Sequence, residues 1–152
     1  METADRAKGE TATMIAIRNA ASGDAEAVTC LISELGFELS VELMRRNLDA
    51  LTGRGLVPLL ADHGQVIGCV TYNIMHVLHR PAPVGRISML IVSADMRGRG
   101  IGRSLANAAV EKLREGGCRL CEVTSNLGLP DAHAFYERIG FRRTSIRLVK
   151  DI

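Results

Sequence analysis

The apolar residues change period several times along the chain, and each change marks an element. Residues 14–18 are a short apolar stretch closed by Asn19 and Gly23, which predicts a first strand. Val28, Leu31, Ile32 and Leu35 then recur at three- and four-residue steps, the face of a helix. Ser22 or Asp24 stands where that helix needs a cap, and Gly36 where it needs an end. Leu43, Met44, Leu48 and Leu51 repeat the pattern in a second helix, opened by Ser40 and closed by Gly53 and Gly55. From Leu56 the period shortens. Residues 56–61 and 65–72 are apolar runs joined by Asp62-His63-Gly64, a hairpin whose second strand has room to extend through Met75 and Val77 before Pro81 and Pro83. Residues 86–92 are a buried strand, and residues 100–115 a helix with Leu105, Ala108, Ala109 and Leu113 on its apolar side. A strand at 118–124, a helix at 131–139 stopped by Gly140, and a closing strand at 141–150, alternating at Ile146 and Leu148, complete the pattern. Residues 1–12 are polar and read as a flexible tail, leaving residues 13–152 as one domain.

Composition narrows the function classes. With 47% hydrophobic and 24% charged residues the chain has the balance of a globular domain. A net charge of +2 is too small to argue for nucleic acid. The arginines concentrate at 97–103 and 138–147, which suits a local anion site better than a long track. No apolar run approaches the roughly 18 residues of a membrane span, and the polar N-terminus lacks a signal-peptide core, so a cytoplasmic protein without membrane contact is expected. Cys118 and Cys121 form a CxxC pair, but inside a strand positions three apart face opposite ways. With no second pair and no clustered histidines, Cys30, Cys69, Cys118 and Cys121 read as buried free thiols, and no metal is expected.

The chemistry concentrates where the 86–92 strand meets its helix. Arg97-Gly98-Arg99-Gly100-Ile101-Gly102 makes a strand, glycine-rich turn and helix. Unpaired N–H groups at the helix start, the positive end of its dipole and three arginines (97, 99 and 103) form a seat for a pyrophosphate. A P-loop would need a lysine after the last glycine, and none follows Gly102. A dinucleotide fingerprint finds an acid at Glu122, about 20 residues on, but Arg103 stands where its third glycine belongs. Arg-x-x-Gly-x-Gly fits, at Arg97, Gly100 and Gly102; a bland turn with solvated arginines stays open on the loop alone.

That third pattern resembles the acyl-CoA pyrophosphate loop of the GNAT N-acetyltransferase superfamily. A second stretch, Asp131-Ala132-His133-Ala134-Phe135-Tyr136-Glu137-Arg138-Ile139-Gly140-Phe141, resembles the helix of the same family in which a Phe-Tyr pair precedes a Gly-Phe strand start. The two follow in the family's order. The resemblance implies an α/β fold: a central mixed sheet with a splayed pair of parallel strands, flanked by about four helices. It implies acetyl-CoA as co-substrate. Leu90, Ile91 and Val92 would offer backbone groups to the pantetheine arm. Arg97, Gly98, Arg99, Gly100, Ile101, Gly102, Arg103 and Ser104 would take the pyrophosphate, and Asn126 would reach the arm from across the cleft. His133 and Phe135 would lie in the cofactor neighbourhood. Tyr136 would touch the cofactor too and act as general acid toward the departing thiolate.

The sequence departs from one common pattern of the family at Ser88, where several members carry a glutamate base. Serine is a poor base at neutral pH without an activating partner. The amine either arrives neutral, loses its proton through water, or meets a base from elsewhere: His76, His79 or Glu122. The acceptor is expected to be the primary amine of a small molecule ahead of a peptide terminus or lysine. Glu38, Glu42 and Asp49 could attract a cation, although acids on an amphipathic helix usually face solvent. A CoA-binding module without turnover is the alternative of another class. Exposed strand edges and the family's habit point to a homodimer.

Overall fold

A computed structural model describes residues 14–152; the tail expected at residues 1–12 lies outside the described residues. Five strands form one sheet in sequence order: β1 (Ala16–Asn19), β2 (Leu59–Asp62), β3 (Val66–Met75), β4 (Val84–Val92) and β5 (Leu120–Val123). The first four run antiparallel to their neighbours, and β5 joins β4 in parallel. A parallel partner needs a crossover, and the helix α3 (Ile101–Glu115) supplies it. Helices α1 (Ala25–Ser33), α2 (Val41–Gly53) and α4 (Pro130–Arg138) complete the described elements, with short 3-10 turns at Ser22–Asp24 and Ala94–Met96. The mixed sheet and four helices are those expected.

Local chemistry sets the boundaries. Ser40 caps α2 by accepting the Leu43 N–H at 3.1 Å. The first helix begins differently from its expected cap: Asp24 turns back to the Ala21 N–H (2.8 Å), which closes a 3-10 turn before α1 starts. Asp62 accepts the Gly64 N–H at 2.8 Å and makes the β2–β3 turn. Arg18 of β1 is bound by Asp24 (2.8 Å) and Asp62 (2.8 Å), tying the first strand to both neighbours. That guanidinium holds both carboxyls below their usual range.

The sheet separates two cores. On one face α3 buries Ile101, Leu105, Ala106, Ala109 and Leu113 against Ile67, Val70, Tyr72 and Ile87. Each large side chain buried there contributes roughly 1.5–3 kcal/mol. On the other, α1 and α2 bring Val28, Leu31, Ile32, Met44 and Leu48 onto Leu60, Cys69 and Ile91.

Two expectations fail. The closing strand at 141–150 does not form; residues 142–152 are exposed and carry neither helix nor strand. Alternating side chains make a strand only where a neighbouring backbone takes the hydrogen bonds, and this segment has no such neighbour. The thiols are not all buried either. Cys69 and Cys118 are, and Cys121 is half-buried, but Cys30 lies exposed on the outer side of α1. Burial pushes the Cys69 thiol up to about 12 and Cys121 to about 11.

Candidate active site

The site begins where two strands part. Parallel pairing of β4 with β5 covers Val84↔Leu120 to Ile87↔Val123 and stops there. Strand β4 continues to Val92, still paired with β3 on its other side. Beyond Ile87, the β5-facing backbone groups of β4 therefore have no strand partner, and Leu90, Ile91 and Val92 lie in this free stretch. An N–H or carbonyl in that position seeks an amide, so an extended ligand with its own amides fits between the strands.

A β-bulge marks the start of the opening. Thr71 pairs with Met89 and Tyr72 with Ile87, leaving Ser88 as the extra residue of β4. The bulge exposes Ser88, whose hydroxyl lies 2.9 Å from that of Thr71. Nothing in the alternation of residues 86–92 announces this irregularity.

Past Val92 the chain turns into the loop before α3. Gly98 (φ +77°) and Gly100 (φ +79°) occupy left-handed backbone, where a side chain is strained, and the space around both is open. Gly100 is the N-cap of α3 and offers no side chain to the helix start. The first helical bond runs from the Ser104 N–H to the Gly100 carbonyl at 3.1 Å, so the N–H groups of Ile101, Gly102 and Arg103 point out of the helix unpaired. Arg99 and Arg103 are exposed beside them. Donors and cations so placed are groups that can hold an anion.

Two residues of the loop do something other than the sequence suggests. Arg97 turns its Nε back onto the Val92 carbonyl (3.0 Å), fastening the loop to the end of β4. Gly102 serves packing: a Cβ there would stand 3.3 Å from the Phe135 ring and 3.7 Å from Val92. Its bareness lets α4 approach α3. Glu34, at the end of α1, was not singled out by any sequence motif. Its carboxylate accepts from the Ala94 N–H (2.9 Å), holding the loop from the opposite face of the sheet, and lies 3.2 Å from the Ser93 hydroxyl, whose shorter bond goes to Asp95 (2.7 Å).

The far wall is β5, the following turn and α4. Asn126 accepts the Gly128 N–H at 2.8 Å, an Asx turn that leaves its NH₂ free. His133 Nε2 lies 2.8 Å from the Asn126 carbonyl, so this histidine braces the turn. Phe135 and Tyr136 are half-buried on α4, with Tyr136 set edge-on between Phe135 (5.2 Å) and Phe141 (5.6 Å). Burial pushes its phenol above the ordinary value of 10 and keeps it protonated.

The three proposed bases fare poorly. His76 and His79 follow β3, beside the Met75↔Val84 pair at the opposite end of β4. At about 3.3 Å per residue that is roughly 25 Å from Val92. Glu122 is paired with Arg86 in the closed part of the β4–β5 ladder (Nε to Oε1 2.7 Å), so its carboxylate already has a cation. Of the three acids around α2, Glu42 pairs with Arg45 at 2.9 Å, and Glu38, which precedes the helix, and Asp49 are exposed. Among the described residues no three His, Cys, Asp or Glu side chains converge as a metal site would require.

A family model, "Acetyltransferase (GNAT) family", matches residues 25–141. The chain belongs to the GNAT acetyltransferase family. It is 33% identical over 140 residues to an aminoalkylphosphonate N-acetyltransferase of Salmonella typhimurium, covering 88% of this chain and 89% of that one. Among solved structures it resembles a transcriptional regulator of Bacillus halodurans (TM-score 0.82, 23% identity, 91% of this chain and 100% of that one). It resembles equally the aminoglycoside N-acetyltransferase AAC(6')-Iy in complex with CoA (TM-score 0.82, 18% identity, 91% and 95%). At those identities the two structures speak for the fold. The chain is therefore an acyltransferase of this family, and its relatives favour small-molecule N-acetylation.

Proposed function

We propose that this enzyme transfers the acetyl group of acetyl-CoA to a primary amine of a small molecule, by direct attack within a ternary complex. The observation that carries the proposal is the end of β4–β5 pairing at Ile87↔Val123, with the unpaired start of α3 at the mouth of the same opening. The backbone groups of Leu90, Ile91 and Val92 that stay free, the Val92 carbonyl held by Arg97 excepted, pair with the pantetheine amides. The N–H groups and arginines from Arg97 to Ser104 hold the pyrophosphate, and the free NH₂ of Asn126 reaches the arm from β5. His133 and Phe135 shape that wall.

In the reaction the neutral amine nitrogen attacks the thioester carbonyl carbon. The oxyanion is met by an N–H of β4 near Leu90 or Ile91. The C–S bond then breaks, the thiolate takes the Tyr136 phenolic proton, and the amine proton leaves through water. A phenol held protonated by burial suits that role. The Thr71–Ser88 hydroxyl pair, exposed at the bulge where the strands part, hydrogen-bonds an incoming amine or its water without acting as a base.

Calorimetric titration with acetyl-CoA, with NAD as control, tests the seat. Micromolar binding of acetyl-CoA alone supports it, and equal binding of NAD or none of either removes it. Free-thiol release with aminoalkylphosphonates, then aminoglycosides, then peptides, tests the acceptor; activity confined to peptides would favour protein acetylation. Binding without turnover on every amine would favour a CoA-sensing module. The expectations of a cytoplasmic setting, a homodimer and one domain over 13–152 go with this reading; fractionation, sedimentation and limited proteolysis check them.

A further inference from the structure

The core under α2 does not close up. A cavity of about 150 Å³ lies between α1, α2 and the sheet, among Val28, Ile32, Met44, Leu48, Cys69 and Met89. The link between the two helices adds Leu39 to its wall, and the same link exposes Phe37 to solvent. Among the described residues, Asn47 and Thr71 alone bring a side-chain nitrogen or oxygen to the lining, and no charged side chain lines it. Apolar space of that size destabilises a fold, because the atoms around it lose contacts that neither side chains nor water replace. It is also space of the size and character that takes up a benzene ring.

The cavity adjoins the opening between the strands. Cys69 and Thr71 stand two apart on β3 and so face α2 together, and the Thr71 hydroxyl lies 2.9 Å from that of Ser88 at the bulge. Met89, paired with Thr71, directly precedes the free stretch that begins at Leu90. Val28, Met44, Leu48 and Cys69 are buried, whereas Thr71 and Met89 are partly exposed. The cavity is therefore closed at its floor and reached from the side of the hydroxyl pair.

We propose that this cavity seats a benzene-sized apolar group of the acceptor, so that the acceptor is a primary amine carrying such a group and no acid. The inference rests on the proposed acetyl transfer. With the apolar group between the helices and the sheet, a short link sets the amine nitrogen beside Thr71 and Ser88, at the opening where the thioester is to lie. Burial of the group supplies the affinity that two polar side chains in the lining cannot. A phosphonate in its place would meet no lysine, arginine or histidine there.

Initial rates with phenethylamine, ethylamine and aminoethylphosphonate test the class, beside Leu48→Phe, which fills the cavity, and Asn47→Arg, which sets a cation at its rim. In the wild type, kcat/KM for phenethylamine should exceed that for either other amine by about a hundredfold, the worth of burying a ring. Leu48→Phe should cut the ratio of phenethylamine to ethylamine about tenfold. Asn47→Arg, at an exposed position that tolerates the change, should raise the ratio of aminoethylphosphonate to phenethylamine about tenfold and carries the test if Leu48→Phe does not fold. General damage lowers all rates together and leaves these ratios alone. A wild-type ratio near one, or ratios unchanged in the folded variants, would overturn the apolar seat while turnover itself kept acetyl transfer standing. No turnover with any amine would instead overturn acetyl transfer to such amines. Calorimetry of phenethylamine in the presence of CoA then decides the cavity without turnover: binding in the wild type that is lost in Leu48→Phe supports it, and no binding or equal binding removes it.

Discussion

The two walls of the cleft are built to different standards. The near wall is β4, its loop and α3. It is paired with β3 over its whole length, backed by five buried residues of α3, and fastened through Arg97 and Glu34. The far wall is β5, the Asn126 turn and α4. It is held by four parallel pairs, and its helix buries nothing completely. Rigid donors suit an anion whose geometry does not change during transfer. On the proposed mechanism, a less anchored wall suits the side where the thiolate leaves and the acceptor enters. Position is thus concentrated in one wall and adjustment in the other.

The contrast breaks most easily at the seat. Gly100→Glu puts a negative charge and a side chain into left-handed backbone at the helix start, and acetyl-CoA affinity should fall a hundredfold or more. Arg103→Glu reverses a charge at the same helix start, a change of two units instead of one, without backbone strain and should lose at least tenfold. Calorimetry at wild-type affinity in both would refute the seat. Across the cleft, Tyr136→Phe should lower kcat about a hundredfold while leaving acetyl-CoA affinity nearly unchanged. In the wild type the alkaline loss of kcat should come above pH 10, where the raised phenol ionises, and the variant should lack it. An unchanged kcat would reject the acid role.

Smaller substitutions sharpen the comparison. Glu34→Ala frees the Ala94 N–H and should weaken acetyl-CoA binding about fivefold, the equivalent of one lost hydrogen bond of roughly 1 kcal/mol. His133→Ala, on the compliant wall, should change that affinity by about twofold or less; the reverse order would invert the assignment of stiffness. Away from both walls, Arg18→Met should cost about 1 kcal/mol at pH 7 in chemical denaturation. Because Arg18 holds Asp24 and Asp62 below their unfolded values, their contribution is complete above those values and is lost as pH falls through the folded ones. The gap between variant and wild type should therefore shrink by pH 3. A gap that is constant between pH 7 and pH 3 would show that the pairing adds nothing.

Much of this molecule is readable from one-dimensional pattern. Helical spacing at Val28 to Ile32 and from Leu105 to Leu113 depends on local geometry, and those helices stand where the spacing puts them, although α1 ends at Ser33 and leaves Leu35 exposed beyond it. The glycine loop is legible for the same reason, because left-handed backbone and a helix start constrain residue type at fixed offsets, whereas the Phe135-Tyr136 pair is legible only through its resemblance to the family. Other features depend on partners distant in sequence. Ser88 bulges because β3 and β4 meet out of step, and Glu34 becomes a brace because α1 ends opposite the loop. His76 and His79 lie near the site in the order of the chain, yet antiparallel pairing carries them to the far end of β4.

What the sequence determined by itself was the order of elements as far as α4 and, through resemblance, the family, since both rest on residue type at short spacing. Tertiary structure decided where the strands part, which carboxylates are already paired and whether the last alternating segment finds a neighbour. Those outcomes are set by backbone hydrogen bonds and ion pairs across the sheet, and a strand signal in sequence says what a segment can pair with but not whether a partner is within reach.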